Sequence, residues 1–122
     1  MNKAVINREV VYAYDALKNA GIAEGNKIAK TWRGQISTFG AAVTMGSLIP
    51  AVAFFSSQGG ADVKRQQLMD AILRILKQEK GDAANCATLF DYVKAQGDKC
   101  REDVLDAAIA LKLAMNLYQL VD

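Results

Sequence analysis

The sequence predicts an all-α fold: a single compact domain over residues 1–122, with about five to six helices bundled around a buried C-terminal helix. Three observations predict it. Helix formers such as Ala, Leu, Lys and Gln dominate, and Pro50 is the single proline. Apolar residues recur at spacings of three and four, while β-branched alternation is almost absent. From Ala107 to Val121 the chain is apolar nearly all round, the mark of a helix surrounded by others. A chain of 122 residues buries a core without metal or disulfide support. No repeat, low-complexity tract or Pro/Ser-rich linker divides it.

The first helix is expected from Asn2 to Ala20, with Ile6, Val10, Ala13 and Leu17 on one side and Gly21 as its stop. The second is expected from Glu24 to Met45. On a helical wheel, Ile28, Trp32, Ile36, Phe39 and Val43 form its apolar face, and Lys27, Lys30, Arg33, Gly34 and Ser37 the opposite one. Trp32 therefore reads as a core residue. Gly46 stops this helix, Ser47 caps a third from Leu48 to Ser57, and Pro50 sits in its first turn, where a missing N–H does no harm. A fourth helix follows from Asp62, its expected N-cap, to Lys80, burying Leu68, Ile72, Ile75 and Leu76. A fifth spans Asn85 to Gln96. The sixth begins after Asp98 and runs to about Leu120, with Lys112, Asn116 and Gln119 on one narrow polar strip.

The stretch from Gly34 to Ala61 holds no charged residue. A membrane span needs about 20 continuous apolar residues. Here "MGSLIP" cuts the run with a stop, a cap and a first-turn proline, so two short packed helices explain it better. The N-terminus is no secretory signal, because Arg8, Glu9, Asp15 and Lys18 interrupt it. A cytoplasmic location is expected, with no membrane partner. Cys86 and Cys100 read as reduced thiols, too few for the usual metal cage.

The absence of histidine removes the commonest general base, the commonest metal ligand and every Ser-His or Cys-His nucleophile pair. No phosphate-cradling glycine loop is present. Glu102 and Asp106 stand one helical turn apart, a carboxylate pair that reads first as acids favoured by a helix N-terminus. No enzyme activity, cofactor or metal is expected. Net charge is only +2 but unevenly spread: residues 1–60 carry six basic and three acidic side chains, residues 61–122 nine and ten. No acid lies between Glu24 and Asp62, while Lys27, Lys30 and Arg33 cluster there.

A basic segment followed by "FGAAVTMGSLIPAVAFFSSQGG" resembles the small subunit of the CRISPR type III-B effector, the Cmr RNA-targeting complex. Met45-Gly46 occupies the polar-Gly break of that family, Leu48 its leucine, and Ala53-Phe54 its "Ala-Phe" pair. In "NREVVYAYDAL", Arg8, Ala13 and Tyr14 match the opening helix. In "REDVLDAAIALKLAMNLYQLV", Asp106, Ala107 and Lys112 match the closing one. The chain departs from the pattern at Ala110 and Leu113, where many members have a tryptophan and a second basic residue, and at Met45, where asparagine is common.

The resemblance implies a non-enzymatic all-α subunit. Copies of it would stack in an inner filament against the backbone and large subunits and help hold guide RNA and target RNA. Phosphate contacts that ignore base identity call for Lys and Arg. The expected RNA-facing residues are Lys27, Lys30 and Arg33, then Arg74 and Lys77. Head-to-tail stacking needs two different patches. The expected protein-interface residues are Leu48, Phe54 and Phe55 on one, and Lys112, Asn116 and Gln119 on the other. The competing readings are a helical protein–protein adaptor without RNA contact, a small membrane protein, and an enzyme working with carboxylates alone. Salt-dependent RNA association separates the first from the subunit reading.

Overall fold

The computed structural model describes residues 1–56 and 65–122. The element order is α1 (Lys3–Asn19), β1 (Ala23–Glu24), β2 (Lys27–Ala29), α2 (Thr31–Met45), α3 (Leu48–Phe55), α4 (Arg65–Glu79), α5 (Leu89–Gln96), α6 (Arg101–Met115) and β3 (Gln119–Val121). Short 3-10 turns precede α5 and α6. The molecule is a mostly helical single bundle, as expected, with one small sheet that the sequence reading did not include.

Asn2 opens α1, its side chain accepting the Val5 N–H at 3.2 Å. The helix closes at Gly21: Ile22 N–H donates to the Leu17 carbonyl and Gly21 N–H to the Lys18 carbonyl, which satisfies carbonyls the helix leaves open. The chain then turns back on itself where a helix was expected to start. Gly25, at φ +62°, takes the first of two turn positions between Glu24 and Lys27, and β1 pairs antiparallel with β2. β2 pairs in turn with β3 in parallel, Ile28 opposite Leu120, giving the order β1-β2-β3. Helix α2 therefore begins at Thr31, and Ile28 reaches the core from a strand.

The rest of the α2 wheel is borne out. Trp32, Ile36, Phe39 and Val43 are all buried. Phe39 meets Phe55 of α3 edge-on, with ring centroids 5.2 Å apart at 72°. Ser47 holds the N-cap position of α3 in an extended conformation but makes no side-chain cap bond, and Pro50 sits in the first turn. Among the described residues no helix is long and apolar enough to cross a membrane. The expected cap at Asp62 lies outside the described residues. Helix α5 starts at Leu89, later than expected, because the Thr88 hydroxyl accepts the Asp91 N–H at 3.0 Å.

Helix α6 is the central element, packed against α1, α2 and α4. Val104, Ala107, Ala110, Leu111, Ala114 and Met115 are completely buried. It stops at Met115, short of the expected Leu120. The chain leaves it through a tight turn so that Tyr118 stacks on Tyr14, centroids 4.6 Å apart, and donates its hydroxyl to the Tyr14 carbonyl at 2.6 Å. Beyond it, Gln119 N–H donates to the Asn26 carbonyl at 2.7 Å and Lys30 N–H to the Val121 carbonyl at 2.8 Å. These bonds draw the C-terminal strand to the start of α2.

Candidate nucleic-acid interface

Lys27, Lys30 and Arg33 come together, but not as a face of one helix. Lys27 is exposed on β2, Lys30 holds the N-cap position of α2, and Arg33 lies in its first turn. Lys30 makes no side-chain cap bond, and the first turn contains no acid. The three cations thus crowd the positive end of a helix, where its free N–H groups already carry partial positive charge. Two acids partly answer them. Glu24 lies across the hairpin from Lys27. Asp122 approaches Lys30 at 3.3 Å, with the two side chains 62% and 96% exposed. Arg33 is half-buried, and its Nε is buried without a hydrogen-bond partner among the described residues.

Beside this corner lies a groove of about 490 Å³, lined by Lys27, Ile28, Ala29, Trp32, Glu24, Gln67 and Val121 among others. Trp32 borders it but is buried, as expected of a core residue. The Gln67 amide, from α4, donates to the Ala20 carbonyl at 3.0 Å and so ties the hairpin side of the bundle to α4.

Arg74 and Lys77 stand elsewhere. Both are exposed on α4 and line a separate groove with Val11, Tyr12 and Asp15 of α1. From Gln67 to Arg74 the helix rises about 10 Å, so the second basic pair sits roughly two turns from the first groove. Arg74 is paired with Asp70 at 2.9 Å, one turn back on its own helix.

The expected protein-contact residues divide. Phe54 is 60% exposed, with the Arg65 guanidinium 5.0 Å from its ring centre. Leu48 and Phe55 are 1% and 2% exposed and belong to the core of this chain, so neither presents a surface to a neighbour. Lys112 is half-buried beside Ser37, Gly40 and Ala41 of α2. Asn116 caps the end of α6, and Gln119 is on β3 opposite Lys27. The early end of α6 therefore breaks the strip expected of Lys112, Asn116 and Gln119. Exposed Met45, Leu113 and Leu117 add apolar surface that the sequence reading did not single out as contacts.

Of the carboxylate pair, Glu102 is exposed and lies 3.5 Å from the N-terminal amine. Asp106 is buried, accepts the Asn2 N–H at 3.3 Å, and has its pKa raised chiefly by burial. Among the described residues no cluster of Cys, Asp and Glu is placed to hold a metal ion. Both cysteines are free, and burial pushes the Cys100 thiol up to about 11. A low-pKa reactive thiol is the opposite of this.

One ionisable residue escaped the sequence reading. Glu9 is 1% exposed and its Oε1 has no hydrogen-bond partner among the described residues. Burial first, then the nearby Glu79, Asp106 and Asp103, push its carboxyl up to about 8. The signal was in the spacing: Glu9 lies three residues after Ile6 and four before Ala13, on the apolar side of α1.

No family model, no curated protein and no solved structure matches this chain.

Proposed function

We propose that the chain is a non-catalytic helical subunit that holds RNA through phosphate contacts, of the Cmr type its sequence resembles. In this reading it acts in the cytoplasm, in antiviral defence, within a CRISPR type III-B ribonucleoprotein. The observation that carries the reading is the corner between β2 and α2. Lys27, Lys30 and Arg33 meet there at the positive end of a helix with no side-chain cap and no acid in its first turn. Cations at that end are unfavourable in the free chain. A bound anion relieves them, and a phosphodiester supplies charge without asking for a base sequence. The Lys30–Asp122 pair is exposed to solvent and worth little, so Lys30 exchanges it readily for a phosphate. Arg74 and Lys77 serve as a second, separate contact on α4.

The remaining partners follow from the same reading. Guide RNA and target RNA pass the basic corner. Backbone and large subunits, and further copies of the chain, meet two patches, one at the exposed Phe54 and one in the region of Lys112 and Asn116. Leu48 and Phe55 support the first patch from within. The exposed apolar side chains Met45, Phe54 and Leu117 specifically favour a second reading, a helical adaptor that binds proteins only.

One experiment separates the two. The tagged chain is recovered from its own cells at mild salt, and the nucleic acid that accompanies it is extracted and sized. Short RNAs of defined length together with larger proteins are expected. Protein partners without RNA leave the adaptor reading in place.

A further inference from the structure

Helix α1 is held very differently along its two halves. Its C-terminal half is seated by Ala13, Ala16 and Leu17, all essentially buried, and by the Tyr14–Tyr118 stack with its hydroxyl bond. In the first two turns Ile6 is the fully buried apolar side chain, and Glu9 is the other buried group. Polar ties complete that half: Arg8 to Glu79 of α4, and the Asn2 N–H to Asp106 of α6.

Glu9 enters a place unsuited to its charge. The acids whose charge acts on it are Glu79 of α4, and Asp103 and Asp106 of α6; Arg8, its neighbour on α1, is bonded to Glu79, and Lys80 is bonded to Asp103 at 2.9 Å. The nearby cations are thus committed to other acids. An ionised Glu9 would feel the repulsion of three further carboxylates and leave one buried oxygen with no donor among the described residues. A protonated carboxyl removes both problems.

We propose that Glu9 is a proton-operated latch on α1: with its proton in place the first two turns stay seated on α4 and α6, and loss of that proton releases them while the Tyr118 end stays fixed. The proposal does not depend on the RNA reading.

The direction follows from linkage. In the closed helix the Glu9 carboxyl is held up to about 8, against an ordinary 4.5 once it reaches water. A raised acid keeps its proton in the closed form, so the latch is fully secured below about 4.5, loosens as pH rises, and loosens no further above about 8.

The test is amide hydrogen exchange on the full chain from pH 5.5 to 9, read as protection factors so that base catalysis of exchange divides out. For residues 5–10 of the wild type we expect protection to fall about tenfold per pH unit up to pH 8 and then level off. In Glu9→Gln and in Glu9→Met the slope should vanish, whatever their absolute stability. The second variant guards against a buried amide that itself disturbs packing. Protection independent of pH in the wild type overturns the proposal. So does a slope that survives in both variants, because Glu9 would then not be its source. Protection of residues 5–10 that equals that of α2, α4 and α6 at every pH also overturns it, because those turns would then open only when the whole fold does.

Discussion

At the residue scale, single polar groups decide more than their number suggests. Glu9 occupies a core position on α1 with an unsatisfied oxygen. Because its folded-state carboxyl is raised, the folded chain binds a proton that the unfolded chain gives up. Stability is then highest below the ordinary value of 4.5 and falls as pH rises to about 8. Asp106, also raised, acts in the same direction. Urea titrations at pH 5, 6 and 7 should give a wild-type stability that drops by about 1 kcal/mol per pH unit, and a Glu9→Gln chain that varies far less. Equal pH dependence in the two chains would count against the buried-acid account. Tyr118 offers a second residue-level test. Its hydroxyl bonds the Tyr14 carbonyl at 2.6 Å, and burial pushes the phenol up to about 12. Tyr118→Phe keeps the stack and removes the bond, and should cost about 1 kcal/mol, read as a melting temperature several degrees lower. Tyr118 stood within the apolar run from Ala107 to Val121, and Glu9 went unnoticed on the apolar side of α1. The sequence did not reveal which carbonyl or carboxylates they would meet, because those lie on other helices.

At the scale of elements, the helices were legible where one face is buried along their whole length. In the main part of α2 and in α4, the spacing of Ile, Leu, Val and Phe maps directly onto burial; in α1 Ile6, Ala13 and Leu17 are buried as expected, but Val10 is half-buried and Glu9 takes a core position. The errors gather at two ends. The second helix was extended back through Gly25 and Asn26, and the sixth forward through Gln119 and Leu120. Both segments carry residues that also suit a helix wheel, and both become strands because they pair with each other. Three residues on each side are too few to announce a strand by alternation. Their hydrogen bonds lie between segments about 90 positions apart in the chain. Gln119→Pro should test this pairing, since it deletes the N–H that donates to Asn26. The expected result is a loss of about 1–3 kcal/mol in stability and faster exchange at the Lys30 amide, with the helical signal in circular dichroism nearly unchanged. An unaltered Lys30 amide would mean that β3 does not hold the start of α2.

At the scale of the molecule, the bundle gathers charge and apolar surface into separate places. The corner of β2 and α2 is the basic one, and Met45, Phe54, Leu113 and Leu117 lie exposed outside it. Reversing Lys27, Lys30 and Arg33 together to Glu should weaken RNA binding by the assembled complex. It should also reduce the slope of log affinity against log salt by about 2, as expected for three lost phosphate contacts. Melting should change little, because Lys27 and Lys30 are exposed and the half-buried Arg33 lies outside the apolar core. RNA binding that keeps its affinity and salt slope would remove the corner from the proposed interface. From the sequence alone came the helical class, the buried last helix, the core face of α2 and the basic run without acids, since each depends on local spacing and composition. Tertiary structure alone decided that Lys27 and Lys30 leave the helix for a strand and a cap position, that Leu48 and Phe55 turn inward, and that the strip after Lys112 is broken. Those outcomes rest on hydrogen bonds and packing between distant segments, which no local pattern contains.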